Sequence, residues 1–160
     1  MRMLKNHGRK KKYTHELFGM NMRMPEIPAA IGRVQLSKMK EFIARRKSIA
    51  AKYTAAFAQI PLIQLQKVKD WADPVFYIYV IRVQDRDQLQ AYLKNHEIQT
   101  GIHYPIPLHQ QPIIEKIYGK STLPVTEQIC EQILSIPFSA AMTDAQVDYV
   151  IQTIQTYYHK

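Results

Sequence analysis

The side chains with the clearest chemical potential lie in residues 100–112, "TGIHYPIPLHQQP". His103, Tyr104 and His109 can donate or accept hydrogen bonds, and three prolines restrict the backbone between and beside them. The segment is too constrained for a helix and too irregular for a plain strand. Polar groups held on a stiff loop suit a wall that faces a ligand. The residues alone leave this functional reading and a purely structural one equally open.

Other chemistries are disfavoured by what the sequence lacks. His103 and His109 could ligate a metal ion, but a site needs three or four ligands, and residues 101–114 contain no Cys, Asp or Glu. No G-x-S-x-G elbow, Walker-type loop or Rossmann fingerprint occurs. Cys130 stands beside Ile129 and Ile133 on a predicted helix, a pattern more typical of a core residue than of a nucleophile. The residues therefore assemble no complete catalytic apparatus and no metal site.

A second polar segment, "GMNMRM" at residues 19–24, precedes a predicted helix. Asn21 and Arg23 interrupt its methionines. The N-terminus of a helix favours an anion, because its backbone N–H groups point outward and its dipole is positive there. The segment is therefore a second candidate for binding a ligand.

The element that follows this segment is a long amphipathic helix. Apolar residues recur at steps of three to four over residues 25–60. Pro25 and Pro28 are compatible with its first turn, where the N–H groups have no intrahelical partner, and Pro61 ends it. Residues 61–74 are predicted to be a loop. Residues 75–83, "VFYIYVIRV", predict a strand that is covered on both faces.

The remaining elements alternate between helices and short extended pieces. Asp85 and Gln88 predict an N-cap and its partner for a helix, and residues 98–104 predict a second strand. Pro124 opens a third helix. A short extended piece is expected at residues 135–138, and Thr143 and Gln146 predict a capping box for the last helix. The predicted apolar positions of the three later helices are Leu89, Tyr92, Leu93, Val125, Ile129, Ile133, Leu134, Val147, Val150, Ile151 and Ile154.

Composition and charge narrow the class of protein. The chain has 160 residues, 46% hydrophobic and 22% charged, which fits one globular domain. Its apolar runs are too short to span a bilayer, no secretory signal is visible, and a single cysteine excludes an intrachain disulfide. A cytoplasmic location fits these features best.

The net charge of +9 is concentrated at one end. Residues 1–52 carry 14 basic and 3 acidic side chains. A nucleic-acid-binding module using residues 1–12 and the helix face around Arg45, Arg46 and Lys47 is therefore one alternative function. A solvated basic arm is favoured over it, because no recognition motif is present and Tyr13 is the only aromatic residue near the charges.

Four ordered stretches carry a resemblance to a known family: "MLKNHGRKKKYTHELFGMNMRMPEIPAAIGRVQL", "VFYIYVIRVQDRDQLQAYL", "IQTGIHYPIPLHQQP" and "ILSIPFSAAMTDAQVDYVI". Together they resemble the C-terminal half of DegT/DnrJ/StrS-type sugar aminotransferases. These are pyridoxal-phosphate (PLP) enzymes of the aspartate-aminotransferase fold, fold type I. The chain departs from the family pattern at Pro28, where most relatives have glutamine, and at Tyr77, where histidine is frequent.

The resemblance implies an α/β fold, the α+β-like small domain of such enzymes. It would contain a long N-terminal helix and a short, mostly antiparallel sheet packed with helices. Residues 1–24 would form a basic arm at the end of the large domain that crosses to the partner of a dimer, and residues 25–160 the C-terminal small domain. Apolar surfaces that face the large domain would favour self-association into a homo-oligomer.

The resemblance also implies a reaction and a set of contacts. The complete enzyme would transfer an amino group, from glutamate, to the keto group of a nucleotide-linked sugar. Asn21 would bind the PLP phosphate in the neighbouring subunit, and Arg23 a substrate carboxylate or phosphate. His103, Tyr104 and His109 would orient the sugar.

The family's Schiff-base lysine has no counterpart in this sequence. None of its fourteen lysines stands in the corresponding motif. Since that amine both holds the cofactor and moves the proton, we expect this chain alone to be inactive. A non-catalytic interaction or regulatory domain derived from the enzyme is a further alternative.

Overall fold

The computed structural model describes residues 1–159, which form two compact units. The first unit comprises Met1–Glu41, and the second begins at Phe42. A single helix, α1 (Glu26–Phe57), begins in the first unit and ends in the second. The two units are described in turn.

The first unit contains a small hairpin that the sequence does not predict. Strands β1 (Arg9–Lys11) and β2 (Thr14–His15) pair antiparallel, and an isolated bridge joins Asn6 to Asn21. Gly8 has a φ of +70°, and a Cβ there would lie 1.7 Å from the carbonyl oxygen of Leu17. Only glycine therefore allows this close approach of the two segments. Residues 1–24, the predicted arm, therefore contain local folded structure.

Helix α1 agrees with its prediction at the N-terminus and is shorter at the C-terminus. It begins at Glu26 and accommodates Pro28 in its first turn. It ends at Phe57, three residues before the predicted end, where Ile60 N–H bonds to Phe57 O in a tighter turn. Its last three turns supply the buried residues Ile49, Ala50, Tyr53 and Phe57.

The second unit is built on a three-stranded antiparallel sheet in the order β3 (Gln64–Leu65), β4 (Tyr79–Arg82), β5 (Ile133–Ile136). Tyr79 and Ile81 of β4 are buried, whereas Val80 and Arg82 are only half-buried. This alternation places one face of the sheet against the core. The short antiparallel sheet confirms the predicted fold class.

Two strand predictions and one loop prediction differ from the structure. The strand predicted at residues 75–83 is limited to β4, because Phe76 has a φ of +51°, outside the extended region, and Tyr77 is 81% exposed. The strand predicted at residues 98–104 is reduced to a single bridge between Gly101 and Ser135. The predicted loop at residues 61–74 contains β3, which two residues were too few to signal.

Four helices complete the second unit: α2 (Arg86–Asn95), α3 (Pro112–Tyr118), α4 (Pro124–Gln132) and α5 (Asp144–Tyr158). Helix α3 was not predicted. Helix α4 begins at Pro124 as predicted, but Ile133 and Leu134 belong to β5 rather than to its face, and Val125 is 69% exposed. The capping box of Thr143 and Gln146 is confirmed.

One continuous core joins the sheet to the helices. Tyr53 stacks on Phe57 and meets Tyr79 edge to face, and its hydroxyl donates to Pro137 O at 2.9 Å. Helices α2 and α5 cover the rest of the core. Its members are Ile49, Ala50, Tyr53, Phe57, Ile60, Ile63, Tyr79, Ile81, Val83, Leu89, Leu93, Ile98, Leu134, Ile136, Val147, Val150 and Ile154.

Asp85 has a different role from the predicted cap. Its side chain makes no capping hydrogen bond to α2. Its two carboxylate oxygens instead accept from the hydroxyls of Tyr157 and Tyr158, at 2.7 and 2.9 Å. The carboxylate therefore ties the start of α2 to the end of α5.

The cations proposed for a nucleic-acid-binding helix face all have intramolecular partners. Arg45 donates to Asp144 and to Met142 O, and Lys47 pairs with Asp73. Arg46 donates to the carbonyls of Phe76 and Tyr77, and its guanidinium lies over the Phe138 ring. These contacts fix loops of the second unit. They argue against the use of this helix face in binding nucleic acid.

No helix within residues 1–159 is both long and apolar enough to cross a membrane.

Substituting Thr143 by alanine tests the capping box. The change removes the acceptor for Gln146 N–H at the start of α5, and we expect the free energy of unfolding to fall by about 1 kcal/mol. Thr156→Ala is the matched control, because the exposed Thr156 bonds only within α5. Urea denaturation of both variants measures the difference. Equal losses would contradict a capping contribution.

The Asp85 cluster predicts a loss of stability at alkaline pH. Burial, followed by the Asp85 carboxylate, raises the pKa of Tyr157 from 10.0 to about 12 and raises the pKa of Tyr158 as well. The folded chain therefore holds these protons more tightly than the unfolded chain. Their contribution to stability should be complete below pH 10 and decline as the pH rises through about 12.

Urea midpoints at pH 9 and pH 11 measure this decline. A Tyr157→Phe/Tyr158→Phe variant should lose less stability between the two pH values than the unmodified chain, because two titrating groups are gone. Tyr118→Phe, at an 80% exposed position, is the control. An identical decline in all three proteins would exclude the cluster as its source.

Candidate functional site

The candidate site is the segment that follows the sheet edge at Gly101. Gly101 N–H donates to Ser135 O at 2.9 Å, and Ser135 N–H donates to Gly101 O at 2.7 Å. This pair of bonds attaches the chain to β5 on the side away from β4. The loop that leaves Gly101 thus starts from a fixed point of the sheet.

His103 is held against this edge by its ring. Its Nδ1 lies 2.9 Å from Ser135 Oγ, and the residue is exposed. A Cβ on Gly101 would lie 2.9 Å from His103 Cε1, so the imidazole occupies the space that the glycine leaves free. Within residues 1–159, Nε2 has no hydrogen-bond partner. The hydrogen bond at Nδ1 therefore orients the ring, and Nε2 is left for another group.

Tyr104 stands next to His103 and also faces outward. It is 71% exposed, and its ring meets the His103 ring at 5.5 Å in a T-shaped arrangement. The peptide bond between the two residues is cis. His103 and Tyr104 together present a ring nitrogen and a hydroxyl to the outside of the unit.

His109 occupies a different environment. It belongs to a short 3₁₀ turn (Leu108–Gln110) and is only 9% exposed. Its Nε2 lies 2.9 Å from Glu127 Oε1 in α4. The same oxygen accepts the backbone N–H of Leu123 at 2.8 Å. The Leu123 N–H, followed by the His109 ring, lowers the pKa of the Glu127 carboxyl below its usual value.

Asn21 and Arg23 lie in the first unit, near the start of α1. Both are exposed, and Arg23 Nε donates to Asn21 Oδ1 at 3.0 Å. The contact uses the acceptor of the amide and leaves its N–H₂ donors for another group. The two terminal guanidinium nitrogens of Arg23 are also left free by this contact.

The structure thus groups the five predicted site residues into two local sets. Asn21 and Arg23 form one, and His103, Tyr104 and His109 share one loop. Sequence reasoning missed Ser135 and Glu127, which hold the loop. Glu127 lies 18 residues from His109 and is typical of a first helical turn, so no local pattern links them. No cluster of three or more potential metal ligands occurs in residues 1–159.

The residues of the first set fit the phosphate of a cofactor. A phosphate requires donors and positive charge, and the Asn21 amide and the Arg23 guanidinium supply both without an acidic residue between 19 and 24. The donor set is therefore compatible with the PLP phosphate.

Comparison with known proteins identifies the family of the chain. Residues 1–155 match the model of the DegT/DnrJ/EryC1/StrS aminotransferase family. The structure superimposes on DesV of S. venezuelae with a TM-score of 0.92 at 32% identity, over 99% of this chain and 43% of that one. A family member from Brucella abortus gives 0.89 at 27% identity over the same shares.

The matches to curated relatives cover similar shares of the two chains. The chain is 36% identical to the dTDP-3-amino-3,6-dideoxy-alpha-D-galactopyranose transaminase of Aneurinibacillus thermoaerophilus, over 98% of this chain and 43% of the relative. It is 30% identical to the UDP-2-acetamido-2-deoxy-3-oxo-D-glucuronate aminotransferase of Pseudomonas aeruginosa, over 94% and 41%. The chain belongs to the DegT/DnrJ/EryC1/StrS aminotransferase family. It spans less than half the length of these relatives.

A double-mutant cycle tests the contact between Ser135 and His103. Ser135→Ala and His103→Ala are measured singly and together by urea unfolding. We expect a coupling of about 0.5–1.5 kcal/mol, the net value of one hydrogen bond. Ser135 with His96, which bonds to Tyr92 O instead, is the control pair and should be additive. Additivity in both pairs would show that the Ser135 hydroxyl does not hold the His103 ring.

Proposed function

We propose that this chain supplies the C-terminal part of a PLP-dependent nucleotide-sugar aminotransferase. The reaction is the transfer of an amino group, from glutamate, to a keto group of the sugar. The observation that carries the proposal is the family match over residues 1–155. Relatives whose names specify dTDP- and UDP-linked sugars support this substrate class.

The cofactor of this proposal is PLP. When bound, PLP supplies the carbonyl chemistry and the electron sink that amino transfer requires. The contribution of Asn21 is to donate its amide N–H groups to the phosphate, in the site of the partner subunit of a dimer. Arg23 fixes the amide through its Nε and offers its remaining donors to an anionic group of the substrate. The basic arm carries these two residues between subunits.

The sugar lies against the loop of the second unit. His103 Nε2 and the Tyr104 hydroxyl are exposed and can hydrogen-bond to sugar hydroxyls. His103 is positioned before binding by Ser135 and Gly101, and the Tyr104 ring contacts the His103 ring. Preorganised groups of this kind lose little conformational entropy when a ligand binds.

Substituting Asn21 tests the assignment of the phosphate contact. In the enzyme that joins this segment to a lysine-bearing N-terminal part of the family, Asn21→Ala should raise the Kd of PLP roughly 10- to 100-fold. This is the effect of losing a hydrogen bond to a charged group. Cofactor fluorescence in equilibrium titrations measures the Kd.

Two controls accompany this titration. Asn95→Ala removes an exposed amide at the end of α2 and should leave the Kd unchanged. The 160-residue chain alone, which lacks the lysine motif, should bind no PLP covalently and transfer no amino group. Turnover by the chain alone, or an unchanged Kd in Asn21→Ala, would count against the assignments.

A further inference from the structure

The two histidines of the loop have opposite environments, although only six positions separate them. His103 is exposed and has one ring nitrogen free within the part of the chain that the structure describes. His109 is 9% exposed and its Nε2 is bonded to Glu127. A ligand that bound His109 through Nε2 would have to displace this carboxylate.

Glu127 joins two parts of the fold through one oxygen. Its Oε1 accepts from the His109 ring of the 3₁₀ turn and from Leu123 N–H at the start of α4. Hydrogen bonds to a charged carboxylate are stronger than those to a neutral acceptor. Glu127 makes two of them. The side chain of Glu127 is 28% exposed, so the pair is shielded from much of the competing water. Glu127 therefore fixes the end of the loop to α4.

The loop is consequently held at both ends. At its start, the backbone bonds of Gly101 and the hydroxyl of Ser135 attach it to β5. At its end, His109 attaches it to α4. Between these points Pro105 and Pro107 restrict the backbone, and Pro107 is buried. The exposed polar side chains left in this span are those of His103 and Tyr104, beside the exposed apolar residues Pro105, Ile106 and Leu108.

We propose that His109 and Glu127 are a positioning pair that holds this loop, and that of the two histidines only His103 contacts the sugar. The proposal rests on the proposed function for the identity of the ligand. It replaces the sequence-based assignment of His109 as a sugar-binding residue with an indirect role. Glu127 is thereby assigned a part in the site through its bond to His109.

Chemical labelling of the histidines tests the pair without requiring enzymatic activity. Diethyl pyrocarbonate modifies accessible imidazole nitrogens, and peptide mass spectrometry gives a separate rate for each histidine. In the full chain, His103 should react at a rate close to that of the exposed His159, and His109 much more slowly. Similar rates for His103 and His109 would overturn the proposal.

Variants of Glu127 identify the source of the protection. Glu127→Ala removes the acceptor, and the labelling rate of His109 should rise about tenfold, as expected for the loss of one charge-assisted hydrogen bond. Glu127→Gln keeps an oxygen acceptor and should restore much of the protection. Glu131→Ala, on an exposed position of the same helix, is the matched control and should change nothing. Continued protection of His109 in Glu127→Ala would refute the role of Glu127.

Half-buried His96 reports whether a variant is still folded, because its Nδ1 is bonded to Tyr92 O. If Glu127→Ala also exposes His96, Glu127→Asp takes its place. Its side chain is one methylene shorter, and it should expose His109 alone. If His109 remained protected in that variant, the pair would again be refuted.

Kinetics in the assembled enzyme separate this proposal from the proposed function. His103→Ala should raise KM for the sugar nucleotide more than it lowers kcat, whereas Glu127→Ala should have a smaller effect that Glu127→Gln reverses. A larger effect of His109→Ala than of His103→Ala on KM would assign the contact to His109. Absence of any amino transfer in the unmodified enzyme would refute the proposed function alone, since the labelling pattern does not depend on it.

Discussion

The pairing of Ser135 is the contact on which the candidate site depends. Its backbone lies opposite Val80 of β4 on one side and bonds to Gly101 on the other, while its hydroxyl meets the His103 ring. One residue of β5 thus connects the sheet to the start of the loop that carries His103. The position of His103 is therefore set by strand register. A slip by one residue would turn the Ser135 side chain to the opposite face.

Helices were easier to infer from the sequence than strands. The capping box of α5 is a local signal that needs only Thr143 and Gln146, and the apolar positions of α2 recur with the period of a helix. The strands depend on partners distant in sequence. Residues 98–104 have strand-forming composition, but only Gly101 finds a partner, and β3 exists because Gln64 and Leu65 lie beside β4. Composition does not specify such pairings.

The site shows the same division between local and distant information. Residue types identified His103, Tyr104 and His109 as a group, and the structure places all three on one loop. Their environments depend on Ser135 and Glu127, which lie 32 and 18 residues away. Asp85 is a comparable case, since its sequence context predicts a cap whereas its partners are two tyrosines more than 70 residues further on. Side chains with several possible partners are assigned reliably only once the fold is known.

The absence of a side chain at Gly101 limits which substitutions the loop accepts without rearrangement. A Cβ at position 101 would lie 2.9 Å from His103 Cε1. A side chain at position 101 therefore requires the ring at 103 to shift or reorient. The two positions are expected to vary together, because a residue without a ring at 103 would leave room for a side chain at 101.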